Sequence, residues 1–493
     1  MKWLACLVAA LILTATLEAQ TPAPHFPVAG TVVKVSPVFL LREDGGRTPV
    51  VILPAGTTVQ VTGRQGPWYR IVFTSASGDQ AGLMEPSDVR IDPDAAAGPT
   101  SNASGTVSER GFVEGRGLGF PQAAVNDSRR LVGDALVREE VFLKPTPSFR
   151  LAMGVDLRGS SHDEVEDEWR VDFDDRGALR PRIAVRRLTA SITTSHVSLD
   201  LGKQFIRWGR ADILSPADRF APRDYMNVID SEFLPVLGAR SAIHVGGETV
   251  EAVWLPRMTP SRLPLLRERW TVVPAEAAGL TLVDNGAVFP GRSEQGVRWS
   301  HAGRFEMGLS FFNGFNHLPD IDAAVAPVGG TVSLTRTYSA LRTYGGEAAV
   351  PTRAFTLKGE AAYFTSPTAT SEEYVLYVVE AERQTGEWLL DVGYAGEVVT
   401  RSRDRVPFAA ERGVARSIIG RASYTIDPRR SLEVEGAVRQ NGHGLYVKGE
   451  FSQTFGRHWR LTVAAAGIGG KADDFLGQYQ RNSHGSATLR LSF

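Results

Sequence analysis

The chain has 493 residues, with 54 Lys+Arg against 55 Asp+Glu and a net charge of −1. That balance excludes the basic surface of a nucleic-acid binder and a polybasic membrane patch. Hydrophobic residues are 43% of the chain, with 50 glycines and one cysteine, and beyond residue 19 no apolar run approaches the ~18 residues of a spanning helix. Composition therefore leaves two readings open: a large soluble all-β protein such as a propeller or sandwich array, or a membrane β-barrel.

Residues 1–19 carry Lys2, then an apolar run over 3–17, then Ala19 before the polar Gln20. This pattern predicts a secretory signal peptide cleaved near Ala19. Cys6 lies inside it, so the mature protein has no thiol, and an exported chain without disulfides must rely on its hydrogen-bond ladders and core.

Residues 27–92 read as a small domain of short strands broken by glycine, which predicts a five-stranded barrel. The run Leu53 to Thr57 (L-x-x-G-T), the alternating Val59 and Val61, the spacing Gly63, Trp68, Tyr69, Ile71, and the closing Gly82, Leu83, Met84 carry the pattern. It resembles a bacterial SH3-like domain, although Leu83 stands where many such domains carry an aromatic. The resemblance implies binding of peptidoglycan or an envelope protein, with Trp68 and Tyr69 as the wall- or partner-binding positions. The alternative is that Trp68 fills the core of the small barrel. Residues 93–110, rich in Ala, Gly, Ser, Thr and Pro, predict a flexible linker.

From 111 to 493 the chain reads as a series of amphipathic strands, at 149–157, 197–201, 356–364, 374–379, 388–398, 414–426, 432–438, 445–455 and 459–468. At ~22–25 residues per strand with half its loops, this predicts an antiparallel barrel of about 16 strands, within a range of about 14–18. Tyr363, Phe364, Trp388, Tyr446, Phe455 and Trp459 fall near strand ends, where rings at a water boundary belong. In 483–493, Ala487, Leu489, Leu491 and Phe493 share one face, and Ser486, Thr488, Arg490 and Ser492 the other. This strand is expected to close the barrel, with Leu489, Leu491 and Phe493 as the barrel-insertion signal. Together with the export signal it decides for the membrane reading.

The densest polar stretch is 202–230, GKQFIRWGRADILSPADRFAPRDYMNVID. Lys203, Arg207, Arg210, Asp212, Asp218, Arg219, Arg223 and Asp224 are candidate pore-lining selectivity residues, because opposed fixed charges across a narrow lumen sort solutes by charge. A salt-bridged external loop fits the same residues. Gly202, Lys203, Gln204, Trp208 and Gly209 match a G-[RK]-Q-x-x-x-W-G motif, followed by Asp212 and the segment 216–218. With 111–121 in front and 249–260 behind, the chain resembles porin-like bacterial outer-membrane barrels, distantly akin to alginate-export barrels. The resemblance implies transport across the outer membrane without naming a substrate.

The acidic run 162–176, HDEVEDEWRVDFDDR, lacks the ligand spacing and glycine of a calcium loop and reads as a solvated turn. No G-x-S-x-G elbow, H-E-x-x-H or phosphate loop occurs, so the expectation is a non-enzyme with no cofactor and no metal. The whole reads as all-β: an SH3-like domain, then a transmembrane barrel in the bacterial outer membrane, with the N-terminal domain in the periplasm. Expected partners are outer-membrane lipid and lipopolysaccharide, the barrel-assembly machinery, and peptidoglycan or an envelope protein through the SH3-like domain. The expected function is a porin-like channel for hydrophilic solutes. The alternative is an envelope anchor with a plugged barrel.

Overall fold

The computed structural model describes residues 28–33, 36–41, 47–53, 57–65, 68–75, 78–85, 88–91 and 106–493, apart from 147, 212, 274–276, 278, 304, 326–329, 353, 369–370, 403–409, 428 and 457. The expected signal peptide, and 93–105 of the expected linker, lie outside the described residues.

The N-terminal strands are β1 (Val28–Val32), β2 (Ser36–Leu41), β3 (Arg47–Leu53), β4 (Thr58–Gln65), β5 (Trp68–Ser75), β6 (Gly78–Met84) and β7 (Val89–Ile91). They form one sheet ordered β3-β2-β6-β5-β4-β1-β7. The count is seven rather than five. The segment 47–53 forms its own strand paired with β2, and Val89 with Ile91 forms a strand on β1 instead of a flank. Val32, Leu53, Val59, Val61, Tyr69, Ile71, Met84 and Val89 form its core.

The large sheet begins with β8 (Thr106–Gly119), β9 (Leu131–Thr146) and β10 (Phe149–Ser160). A short β11 (Val171–Asp172) precedes β12 (Ile183–Thr193) and β13 (Val197–Gln204). Next, β14 (Arg223–Asp224) and β15 (Glu232–Phe233) pair with each other ahead of β16 (Val236–Val245) and β17 (Glu248–Leu255). After β18 (Thr281–Val288) come β19 (Glu294–Ala302) and β20 (Glu306–Phe315). Then β21 (Asp320–Val325) and β22 (Thr331–Thr337) join β18 in a separate three-stranded sheet. The wall resumes with β23 (Ala340–Pro351), β24 (Thr356–Thr365), β25 (Glu373–Thr385) and β26 (Trp388–Arg401). It finishes with β27 (Ser417–Asp427), β28 (Arg430–Arg439), β29 (Gly444–Phe455), β30 (Trp459–Gly470) and β31 (His484–Ser492).

β31 pairs antiparallel with β8, from Gly485 with Gly119 to Ser492 with Phe112, and this closes the barrel. Phe493 and Gly111 then exchange both backbone hydrogen bonds at 3.0 Å. Apart from the two-residue β11, which runs parallel beside β12, the wall has 18 antiparallel strands rather than about 16. The difference comes from the connections. At one end the turns are as tight as 246–247 and 386–387, so each strand consumes less chain than the sequence estimate allowed. The wall also starts at Thr106, inside the expected linker, because 106–110 pair in register with β9.

Connections alternate strictly. The end that holds Phe493 has only short turns, while the opposite, distal end carries the long segments 120–130, 161–182, 205–235, 256–293 and 316–339.

Polarity along the strands is inverted relative to a soluble protein. Met153, Val155, Leu188, Ile243, Leu309, Val392, Val434, Val447, Val463 and Leu489 face outward and are more than a third exposed. Glu140, Asp156, Glu251, Glu347, Glu360, Glu380 and Asp391 face inward and are buried. A surface of this chemistry belongs in hydrocarbon, where a closed ladder leaves no backbone group unpaired. Trp388, Phe455, Trp459 and Phe493 project outward near the short-turn end, and Trp254, Phe311 and Tyr344 near the distal end, as two aromatic belts. Phe364 and Tyr446, expected in those belts, point inward and pack in the interior. Val392→Arg should destabilise the folded barrel in lipid vesicles by about 2–4 kcal/mol, read as loss of the folded band on unheated gels; an unchanged folded fraction would contradict a lipid-facing wall.

Candidate functional site

The segment 205–235 runs inside the barrel. Its side chains and amides meet inward-facing groups of wall strands on every side. Arg116 of β8 and Lys448 of β29 lie 2.6 and 3.6 Å from Asp230, and Arg158 of β10 lies 2.9 Å from Glu232. Glu251 of β17 accepts from the Trp208 indole, and Glu347 of β23 lies 3.2 Å from Arg210. Only a chain crossing the lumen can touch all of these.

Glu360 of β24 anchors the crossing. It accepts from the amides of Arg210 (2.9 Å), Ala211 (3.2 Å) and Ala217 (2.6 Å) and from the Ser215 hydroxyl (2.8 Å). One strand further, Glu380 accepts from the Ile213 amide at 3.3 Å. A buried carboxylate filled by four donors replaces the hydration the segment's amides would otherwise need.

The G-[RK]-Q-x-x-x-W-G residues make the turn into the lumen. Gly202 has φ +120°, and a Cβ there would lie 2.1 Å from the Leu188 carbonyl oxygen. Gln204 donates its amide to the Gly238 carbonyl at 3.2 Å. Trp208 packs edge-on against Phe220 at 4.8 Å, and Phe220 against Phe312 at 5.0 Å. Gly209, at φ +96°, brings the backbone so close to Glu360 that a Cβ would sit 2.7 Å from its carboxylate and 2.0 Å from Ser215 Oγ. An L side chain is disfavoured there on both counts.

Apolar contacts seat the rest. Ile206, Trp208 and Phe220 join Val253, Leu255, Phe312, Leu341, Phe364 and Leu376. Ala211 and Val228 join Val378, Ala395, Ile419, Ala437, Tyr446 and Ile468 on the other side.

The candidate residues divide by environment. Lys203 is 1% exposed and paired with Asp175 at 2.6 Å, so it ties β13 to the segment 161–182 and is closed off from the lumen. Asp218 is buried, accepting from Arg207 (3.0 Å) and the Trp208 amide (2.9 Å), and burial pushes its carboxyl above the ordinary range against the pull of Arg207. Asp224 is buried between Arg180 (2.9 Å) and Arg262 (2.6 Å). Burial opposes its ionisation, yet the two guanidiniums outweigh it and hold the carboxyl well below its usual value. Arg207, half exposed, and Arg223 both stack over Phe233, at 4.1 and 4.0 Å. Arg219 lies over Phe364 at 5.2 Å, and Arg210 pairs with Glu306 as well as Glu347. Asp212 lies outside the described residues. Tyr69 sits in the N-terminal core, 7% exposed, and offers no free ring face; the side chain of Trp68 lies outside the described residues. The acidic run is largely ion-paired: Asp163 with Arg129, Glu164 with Arg180, Asp167 with Arg182 and Asp174 with Arg257.

Sequence reasoning missed the wall residues that receive the crossing segment: Arg116, Arg158, Glu251, Glu347, Glu360, Glu380 and Lys448. Their signal was present as charges on the polar parity of an apolar strand, as with Lys358 and Glu360 in TLKGEAAYF. A cavity of about 90 Å³ remains between 226–232 and the inner faces of β8–β10, bordered by Glu114, Arg116, Asp134, Arg158, Glu164 and Asp230.

No family model matches this chain, and no curated protein is similar to it. Among solved structures it is similar to Acinetobacter baumannii OccAB4, with a TM-score of 0.47 and 11% identity over 80% of this chain and 99% of that one. It is similar also to Pseudomonas aeruginosa OpdQ (0.46, 9%, 80% and 99%) and to a BenF-like porin from Pseudomonas fluorescens Pf-5 (0.45, 11%, 78% and 98%).

Two variants test the crossing. Glu360→Ala strands four donors, at about 1–3 kcal/mol for each one left buried; we expect a lower melting temperature in detergent and a larger single-channel conductance as the segment detaches. Asp224→Asn should lower the melting temperature at pH 7, because a carboxyl held below its usual value stabilises the fold above its unfolded pKa of ~4. The gap to the parent chain should narrow as pH falls through the folded value; a constant gap would refute the ion-pair account.

Proposed function

We propose that this chain is a porin-like channel of the bacterial outer membrane, passing small hydrophilic solutes through a constriction made by 205–235. The observation that carries the reading is an apolar outer wall around a charged lumen that its own segment narrows. On one arc of the wall, β8–β19, the inward arginines Arg116, Arg138, Arg158, Arg240 and Arg298 alternate with the inward carboxylates Glu114, Glu140, Asp156 and Glu251. Carboxylates dominate the other, with Glu347, Glu360, Glu380, Asp391, Glu433 and Glu435 on β23–β28. An acidic arc facing one of mixed charge gives an uneven field across the lumen that orders a solute's own charges. Under this reading the crossing segment narrows the lumen to small solutes and excludes a polymer.

Of the sequence candidates, Arg207, Arg210, Arg219 and Arg223 are the selectivity residues under this reading, while Lys203, Asp218 and Asp224 hold the segment in place. The short-turn end faces the periplasm and the long distal loops face outward, the usual asymmetry of such barrels. The N-terminal sheet is then a periplasmic module, SH3-like in sequence pattern, which tethers the barrel to peptidoglycan or an envelope protein. Leu489, Leu491 and Phe493 serve as the barrel-insertion signal.

A second reading draws on the apolar packing of 205–235 against opposite walls: a sealed barrel serving as an anchor for the N-terminal module. Planar-bilayer recording separates the two. The channel reading expects discrete conductance steps, and Arg207→Ala with Arg210→Ala should shift the reversal potential in a KCl gradient toward cation selectivity. A silent bilayer with correctly folded protein would favour the anchor, and an unshifted potential would remove Arg207 and Arg210 from the pore.

A further inference from the structure

At the distal end, three long segments bring three buried metal-ligand side chains together. Asp127 comes from 120–130, His162 from 161–182 and Glu268 from 256–293, and they are 8%, 4% and 6% exposed. One ligating atom from each lies within 4.8 Å of the other two. His162 Nε2 sits 3.1 Å from Asp127 Oδ2, while its Nδ1 is buried without a partner.

The charges around the cluster do not balance. Arg269 approaches Asp127 Oδ2 at 3.6 Å, but its guanidinium is held elsewhere, over the Phe120 ring at 3.5 Å and donating to the Arg129 carbonyl at 2.9 Å. Arg129 pairs with the exposed Asp163 at 3.3 Å. Among the described residues, no hydrogen-bond donor or ion-pair partner within bonding range serves the Glu268 carboxylate. An enclosed carboxylate aimed at a second carboxylate and an imidazole is costly unless a cation joins them.

We propose that Asp127, His162 and Glu268 form a binding site for a divalent first-row transition metal, with Zn²⁺ the best match. One imidazole nitrogen and two carboxylate oxygens are a borderline donor set. Three protein ligands with water completing the shell suit Zn²⁺ or Mn²⁺, whereas Ca²⁺ asks for six to eight oxygens. Drawing the ligands to bond lengths of about 2.0–2.2 Å needs shifts of side-chain size only. His162 and Glu268 also border the cavity beside 226–232, which gives an ion a path in. A bound ion would reinforce the contacts that already join these three segments, His162 with Asp127, Arg269 with the Arg129 carbonyl and Arg129 with Asp163, at the distal end of the barrel.

The test uses the untagged full chain, refolded in detergent and stripped of metal with a chelator. Titration with Zn²⁺ alone should show one strong site per chain and a rise in melting temperature, and Ca²⁺ at the same concentration should show neither. His162→Gln and Glu268→Gln should each weaken the binding by roughly tenfold or more, with the folded band on unheated gels confirming the barrel. Should a variant fail to fold, Co²⁺ added to the parent chain decides, since an imidazole–carboxylate site gives visible ligand-field bands that Zn²⁺ abolishes. Zinc affinity equal in the parent and both folded variants, or a Co²⁺ spectrum no different from the free aquo ion, would overturn the proposal.

Discussion

The lumen of this barrel is organised around one carboxylate. Glu360 stands on β24 with its side chain turned inward, and four donors of 205–217 converge on it. A barrel of 18 strands encloses more space than side chains can fill, so its interior must be furnished by chain from elsewhere. A largely irregular segment can lie there only if its amides find acceptors. Glu360 and Glu380 supply them, and Trp208, Phe220 and Phe312 lock the return path. That attachment sets the course of 208–217, while Arg180, Arg262, Arg116, Lys448 and Arg158 fix the charges further along the segment.

A second constraint acts from outside. The outward residues are those a soluble protein would bury, and the inward ones those it would expose, so the usual stabilising logic is reversed. The wall is held by a closed ladder and by cross-strand pairs on the inner face, such as Arg138 with Asp156 at 2.7 Å and Arg421 with Asp391 at 3.0 Å. Carboxylates predominate on the inner face of β23–β28, whereas β8–β19 carry both signs, and most of these charges have a local partner.

Much of this was legible in the sequence for a definite reason. A strand with one wet face and one apolar face writes its parity into the chain, so 388–398, 445–455 and 459–468 were recognisable, and 483–493 pointed to closure. The inward turn was visible as Gly202, Gln204, Trp208 and Gly209, although their roles were not: two glycines at positive φ and a ring seated between wall strands make sense only once β24 is opposite. Phe364 and Tyr446 were misplaced because an aromatic near a strand end looks the same whether it faces lipid or lumen; only register decides. Asp218 and Asp224 looked like pore charges because sequence shows charge but not its partner. Arg180 and Arg262, which enclose Asp224, come from segments 44 and 38 residues away. The extra strands, in the N-terminal sheet and in the wall, were lost to connections too short to register as gaps.

Closure itself sets a condition on how the molecule forms. Arg490 and Glu114 meet across the seam, 376 positions apart along the polypeptide. Nearly every other wall contact joins neighbours in sequence, so a hairpin series can assemble progressively while its two outer margins stay unsatisfied. Until the seam zips, each margin is a ready template for a foreign strand. The time between formation of the first hairpin and docking of the last is therefore the interval in which the open margins of this chain are most exposed to mispairing.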